Sequence, residues 1–267
     1  MPRYSIKYIY ENFEKFDPAN LDEFTVVALL AYHAKQKRDR LLLLEAVTKE
    51  PYLFATNFIW TKNEDTLRIE RFPDYPYLQE TVFPGMDAPG NHLWEKSRRV
   101  LMSISFCANF LIHWMKDDLF LGGITSRNQK KVDDGGGAST WDSLFGKMRF
   151  MYDKIAEKNP FVIEHFLGHV PRSDRLFKNL VLENPATSST IIGEAPTPNC
   201  LTGGGFTKIF VDETARVPNM SSIHANLIMA AKNVHYLSYP NGKNNTFYEV
   251  RHAQGREIGR ASCRERV

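Results

Sequence analysis

Lys208-Ile209-Phe210-Val211-Asp212-Glu213 constrains the fold of this chain more than any other stretch. Four residues with strand character, three of them apolar, run straight into two adjacent carboxylates. Gly203, Gly204 and Gly205 precede them, and Thr214-Ala215-Arg216-Val217-Pro218 follows. This is how a buried central strand ends at an active site. In a nucleotide-hydrolysing α/β sheet, the first carboxylate at such a strand end holds the Mg²⁺ shell and the second orients or deprotonates the attacking water. Asp212 and Glu213 are the candidates for those two roles. An apolar strand giving way to a polar loop produces the same pattern without any chemistry, so a partner must be sought upstream.

A chain of 267 residues can bury a good core and suggests one large domain or two small ones. Hydrophobic content of 43% and aromatic content of 12% are those of a globular protein. The longest apolar candidate, Val100 to Trp114, is interrupted by Ser103, Ser105, Asn109 and His113 and falls short of the ~18 residues of a membrane span. The amino terminus has no signal-peptide apolar core. A soluble intracellular protein with no membrane association is the expectation.

Residues 257–267, Glu257-Ile258-Gly259-Arg260-Ala261-Ser262-Cys263-Arg264-Glu265-Arg266-Val267, read as a common short-read sequencing adapter translated in one frame. They are set aside from the fold expectation as an artefact, the alternative being a genuine basic tail. On that reading the frame was cut before its natural end. Without the three Arg and two Glu of this tail the net charge drops from +3 to +2, too small to argue for nucleic acid by itself. Cys107 and Cys200 then remain, far apart in sequence, and support neither a disulfide framework nor a zinc site.

Residues 1–50 read as a helical segment with Asp17-Pro18 as a break, its apolar positions grouped around Phe24 to Ala31 and Leu41 to Val47 and Arg38-Asp39-Arg40 between the groups. Such a segment serves as a small helical cap or as a partner-binding arm. Further on, strands are expected at Leu119 to Ile124, Leu180 to Leu182, Thr190 to Gly193, Lys208 to Val211 and Asn233 to Tyr239. Helices are expected at Ile104 to Met115, Trp141 to Ala156 and around Ile223 to Met229. Strands alternating with helices make an α/β fold with a mainly parallel sheet, and ligands then sit at the carboxyl ends of the strands.

The upstream partner is Lys96-Ser97-Arg98-Arg99-Val100-Leu101-Met102-Ser103. A short basic loop opens directly into a helix whose first amides are free, an anion site by geometry. The generic P-loop, G-x-x-x-x-G-K-[ST], does not match: Lys96 stands at the first Gly, Leu101 at the second and Met102 at the Lys. Only a Lys reaching in from the start of the loop supplies the missing charge. Gln79, behind the aromatic and Pro-rich Phe72 to Leu78, could present its amide to an adenine edge, or be an exposed Gln on a loop.

Taken in order, these stretches resemble the large terminase subunit, the DNA-packaging ATPase of tailed bacteriophages. That family has a deviant Walker A of the form K-S-x-R-V-x-x-S, with its Lys moved to the start of the loop, and Lys96 to Ser103 fits it. Phe72 to Gln79 looks like the adenine-contacting segment. Ser126-Arg127, Val132-Asp133 and Ser143-Leu144-Phe145 look like the block after the second strand. Ile192-Gly193-Glu194-Ala195 and the Gly run precede Walker B, and Ser238-Tyr239-Pro240-Asn241-Gly242 resembles the coupling motif. Two positions depart: Leu101 where the family usually keeps Gly, and Tyr239 where it usually has Thr or Ser.

The resemblance implies a P-loop NTPase fold of the ASCE type over residues 51–256, with the family's nuclease domain missing. It implies ATP and Mg²⁺ as cofactors. Gln79, Lys96, Ser97, Arg98, Ser103, Ser238 and Asn241 would contact nucleotide, and Ser103 and Asp212 the metal. Glu213 would activate water, and Arg99 would stabilise transition-state charge. Double-stranded DNA without sequence preference, the portal protein, the small terminase subunit and a homo-oligomeric ring on the procapsid are the implied partners, in the host cytoplasm and transiently at the portal. A helicase-like P-loop translocase and an inactive assembly module are the other readings.

Overall fold

The computed structural model describes residues 5–12, 15, 23–63, 66–97, 101–135, 140–243, 245–252 and 258–260. The chain divides into two compact units, Met1–Glu50 and Pro51–Val267. The first contains α1 (Ile6–Glu11), capped by Ser5 Oγ accepting from Tyr8 N–H, and α2 (Glu23–Thr48). The break expected at Asp17-Pro18 lies outside the described residues, and α2 runs unbroken through Arg38-Asp39-Arg40. Arg is among the better helix formers, and one Asp between two of them costs a helix little.

The second unit opens with α3 (Pro51–Phe58) and a hairpin of β1 (Trp60–Lys62) and β2 (Ile69–Arg71). A π-helical turn (Leu78–Val82) leads into α4 (Phe83–Asp87), then β3 (Gly90–Glu95), α5 (Met102–Lys116) and β4 (Leu121–Thr125). Next come α6 (Gln129–Val132), α7 (Leu144–Lys158), α8 (Pro160–Leu167) and α9 (Ser173–Leu176), followed by β5 (Phe177–Lys178), β6 (Val181–Asn184) and β7 (Ser189–Glu194). β8 (Lys208–Asp212), α10 (Met220–Ala230), β9 (Asn233–Ser238), α11 (Thr246–His252) and β10 (Ile258–Arg260) complete the order among the described residues.

Among the described residues β3 to β10 form one eight-stranded sheet in the order β10-β3-β9-β8-β4-β7-β6-β5, and β1 and β2 pair separately. The pairs from β10 to β7 are parallel, and β6 and β5 add an antiparallel edge. The fold is α/β with a mainly parallel sheet flanked by helices. One strand, β9, lies between β3 and β8, so the two strands that lead to the basic loop and to Asp212 are not neighbours.

The residues set aside as tail include β10, which pairs parallel with β3 from Ile258↔Leu93 to Arg260↔Glu95. Sequence reasoning assigned them no place; the edge of β3 presents unpaired backbone groups that a short extended segment satisfies.

β8 is buried along its whole length and sorts its side chains to two layers. Ile209 and Val211 join Val234 and Tyr236 against Met220, Ile223, Leu227 and Ala230 of α10. Lys208, Phe210 and Asp212 face α5 on the opposite side, following the two-residue alternation of a strand. α5 is buried almost all round, which is why its apolar pattern exceeds one face. Phe106 stacks on Phe210 with ring centroids 4.3 Å apart. Registers of Glu95↔Ser238, Asp212↔Leu237, Val211↔Thr125 and Thr125↔Glu194 bring the carboxyl ends of β3, β9, β8, β4 and β7 to one edge of the sheet.

Candidate active site

Three residues separated by up to 116 positions converge at that edge. Lys96 follows β3 and continues its ladder by donating its N–H to Ser238 O at 2.9 Å. Its Nζ donates to Ser103 Oγ at 2.8 Å and to Asp212 Oδ1 at 2.9 Å. Ser103 Oγ in turn donates to Asp212 Oδ2 at 2.9 Å. Side-chain exposure is 13% for Lys96 and 11% for Asp212, so both charges are largely withdrawn from water and each is the other's compensation.

Leu101 and Ser105 shape the helix end that holds Ser103. Leu101 sits in the left-handed region at φ 54°, ψ 7° and turns the chain into α5. The position that the generic loop gives to Gly thus does adopt positive φ here, with a Leu in it. The first backbone bond of α5 runs from Ser105 N–H to Leu101 O at 2.8 Å. The amides of Met102, Ser103 and Ile104 therefore have no acceptor within the helix and point out of its positive end, toward the same edge as Lys96.

Glu213 is also left-handed, at φ 51°, and its N–H donates to Asp212 Oδ1 at 2.9 Å. That turn separates the two carboxylates: Asp212 looks toward Ser103, and Glu213 looks toward β4. Arg127, two residues beyond the end of β4, brings Nε to 2.9 Å from Glu213 Oε2. The N–H is not aimed along this contact, so the pair is electrostatic, and both atoms are buried without a hydrogen-bond partner. Sequence reasoning noted Ser126-Arg127 but gave Arg127 no role. The available signal was a basic residue just past a Gly-Gly strand, at the edge where the Asp-Glu strand ends.

Ser238 is 1% exposed. Its Oγ accepts from Ala215 N–H at 3.2 Å and donates to Tyr239 O at 3.0 Å, tying the end of β9 to the turn after Glu213. Arg216 of that turn places its guanidinium 4.7 Å from the Tyr239 ring centroid. Asn241 is exposed, and its carbonyl accepts from Asn245 Nδ2 at 2.9 Å. Ser97 is exposed beside Lys96, and Gln79 is exposed on the π-helical turn. Arg98 and Arg99 lie outside the described residues. The structure thus brings Lys96, Ser103, Asp212 and Glu213 together, adds Arg127, and seats Ser238 behind them.

A hydroxyl and a carboxylate oxygen 2.9 Å apart suit a hard divalent cation that takes most of its ligands from water and phosphate oxygens. Among the described residues no group of three or more His, Cys, Asp or Glu could hold a metal ion by itself. No described helix is long and apolar enough to cross a membrane.

No protein-family model and no curated protein matches the chain. Solved structures do. The large terminase ATPase domain of Thermus phage P74-26 is similar over 67% of this chain and 69% of its own, with 16% identity and a TM-score of 0.43. The HK97 bacteriophage large terminase is similar over 74% of this chain and 39% of its own, with 10% identity and a TM-score of 0.47. A large terminase from a thermophilic bacteriophage is similar over 66% of this chain and 39% of its own, with 12% identity and a TM-score of 0.35.

Proposed function

We propose that this chain is the ATPase motor domain of a phage large terminase subunit, hydrolysing ATP to move double-stranded DNA into a procapsid. The observation that carries the reading is the contact of Lys96 Nζ with both Ser103 Oγ and Asp212 Oδ1. A lysine at the start of the basic loop reaches the position that the generic P-loop lysine would serve from its end.

ATP would bind with its phosphates against the free amides of Met102, Ser103 and Ile104. Lys96 then exchanges Ser103 and Asp212 for phosphate oxygens. Ser103 and Asp212, released from the ammonium, would hold Mg²⁺; when bound, the ion neutralises charge on the phosphates. Glu213, whose Oε2 has no hydrogen-bond donor, would accept a proton from the attacking water and orient it. Arg127, with Nε 2.9 Å from Oε2, would hold that carboxylate in place. Arg99 would stabilise charge developing on the γ-phosphoryl group, and Gln79 would read adenine. Ser97, Arg98 and Asn241 would add contacts around the nucleotide.

Ser238, bonded to the turn after Glu213, would pass the loss of the γ-phosphate to a DNA-gripping surface. Contacts to DNA would be to backbone phosphates, since a motor must pass any sequence. A ring of copies on the portal, with the small subunit as a further partner, is the assembly that this reading expects.

The test is Mg²⁺-dependent ATP binding and hydrolysis by the chain beside Lys96→Ala and Glu213→Gln. Loss of binding in the first variant and binding without turnover in the second support the reading. Wild-type hydrolysis by Lys96→Ala would displace the active site from this cluster.

A further inference from the structure

The nucleotide reading uses one end of the contact between α5 and β8. At the other end lies a polar cluster that it leaves unexplained. Asp87, the last residue of α4, places Oδ1 2.7 Å from Lys208 Nζ, 2.8 Å from His113 Nε2 and 3.1 Å from Asn109 Nδ2. A single carboxylate oxygen thereby joins α4, the first residue of β8 and the second half of α5. The Lys208 side chain is 4% exposed, and its Nζ also donates to Asn109 Oδ1 at 2.9 Å.

His113 faces a second carboxylate. Its Nδ1 lies 2.5 Å from Asp117 Oδ2, whose other oxygen is 3.1 Å from Lys116 Nζ. A neutral imidazole carries one N–H and could donate to only one of these two carboxylates, leaving a lone pair against the other. The doubly protonated ring donates to both.

We propose that Asp87 and His113 form a proton-dependent clamp that fixes α5 along β8 from the end opposite Ser103 and Asp212, and so positions those two residues. For its consequence at the site, this rests on the nucleotide reading. The contact between the two elements has three rungs: Ser103 with Asp212, Phe106 with Phe210, and Asn109 with Lys208. Steps of three along the helix meet steps of two along the strand, so a slide of α5 breaks every rung together. The clamp opposes that slide because it would strip a buried ammonium of its carboxylate.

Burial pushes the Asp87 carboxyl up, but the bond from His113 and the charges of Lys208 and His113 outweigh it and hold it well below the usual carboxylate range. Asp117 behaves alike: burial raises it, and His113 and Lys116 bring it below the ordinary value. The groups that face His113 are therefore Asp87 from α4, Lys208 from β8, and Asn109, Lys116 and Asp117 on or next to its own helix, with the Phe120 ring stacked on it at 5.5 Å. His235 of β9, near Lys208, is pushed the other way: burial holds its ring neutral. That group favours the fold as pH rises, so only the difference between wild type and a His113 variant isolates the clamp.

The experiment measures thermal unfolding between about pH 5.5 and 8.5, where imidazoles change charge, for wild type and His113→Gln. It adds binding of a fluorescent ATP analogue at fixed pH to wild type and to the double variant Asp87→Asn with Lys208→Met, which removes the buried ammonium and its carboxylate together and so avoids leaving either unpaired. We expect wild type to lose more stability than His113→Gln as pH rises. We expect the double variant to bind the analogue about threefold to thirtyfold more weakly, the span of coupling energies between distant sites. Equal pH slopes in wild type and His113→Gln overturn the clamp with the nucleotide reading intact. Wild-type affinity in the folded double variant overturns its positioning role. A wild type that binds no nucleotide instead removes the reading beneath the affinity measurement, and the positioning role with it.

Discussion

Phe106 lies on Phe210 with ring planes 3° from parallel and centroids 4.3 Å apart, midway between the Ser103–Asp212 contact and the Asn109–Lys208 contact. Both rings are fully buried. The apolar rung thus separates the Lys96–Ser103–Asp212 cluster from the Asp87–Lys208–Asn109 cluster.

Phe106→Ala is expected to cost about 3–5 kcal/mol of stability, the range for emptying a phenylalanine site in a core that cannot fully collapse. Urea unfolding checks it. A loss below about 1 kcal/mol would mean that α5 does not depend on this stack.

Leu101→Val is expected to lower stability by about 1–2 kcal/mol, because a β-branched side chain tolerates positive φ worse than the Leu now at φ 54°. Leu101→Gly should stay within about 1 kcal/mol of wild type, as relief of strain offsets the extra freedom of the unfolded chain. Denaturant midpoints of the two variants, compared side by side, test the sign of each.

On the proposed ATP hydrolysis, Arg127→Ala is expected to reduce kcat about tenfold to a hundredfold with KM within about twofold, since it would loosen the Glu213 carboxylate without touching Lys96 or Ser103. Steady-state kinetics with saturating Mg²⁺ supply the split. A change confined to KM would move Arg127 from Glu213's support to substrate binding.

Acid sensitivity follows from Asp87 and Asp117, whose carboxyls are held below the ordinary range when folded. A depressed folded value means that the unfolded state binds protons first on acidification. Their stabilisation is therefore complete above the ordinary carboxylate value of about 3.9 and is lost as pH falls below it. Asp87→Asn should flatten the decline of stability between about pH 4 and pH 2, read by circular dichroism across an acid titration.

How much of this was visible in the sequence differs by element. Strand-like runs at Lys208 to Val211 and Asn233 to Tyr239 were legible because buried parallel strands are short, continuous and β-branched or aromatic. β3 was not: Gly90-Asn91-His92-Leu93-Trp94-Glu95 mixes polar and apolar residues because Asn91 Oδ1 accepts from Val234 N–H on the neighbouring strand and His92 Nε2 bonds Ala88 O. α3 was read only as an aromatic-rich stretch, since Tyr52, Phe54 and Phe58 are helix-indifferent and declare themselves only when buried. Of the antiparallel edge, β6 was legible as the run Leu180 to Leu182, whereas β5, two residues long, was too short to show a period.

By itself the sequence determined the order of elements and the residue types at the strand ends: a displaced Lys96, a hydroxyl at Ser103, and Asp212 beside Glu213. Those depend on local pattern and on chemistry that few side chains can supply. Only the tertiary structure decided what they meet. Ser103, Ser105, Asn109 and His113, which in the sequence merely interrupt an apolar run, prove to bond Asp212, Leu101 O, Lys208 with Asp87, and Asp87 with Asp117. Arg127 finds Glu213 for the same reason. Such contacts are set by the pairing of strands distant in sequence and by the three-to-two meshing of a helix on a strand, and neither is written in any single stretch of the chain.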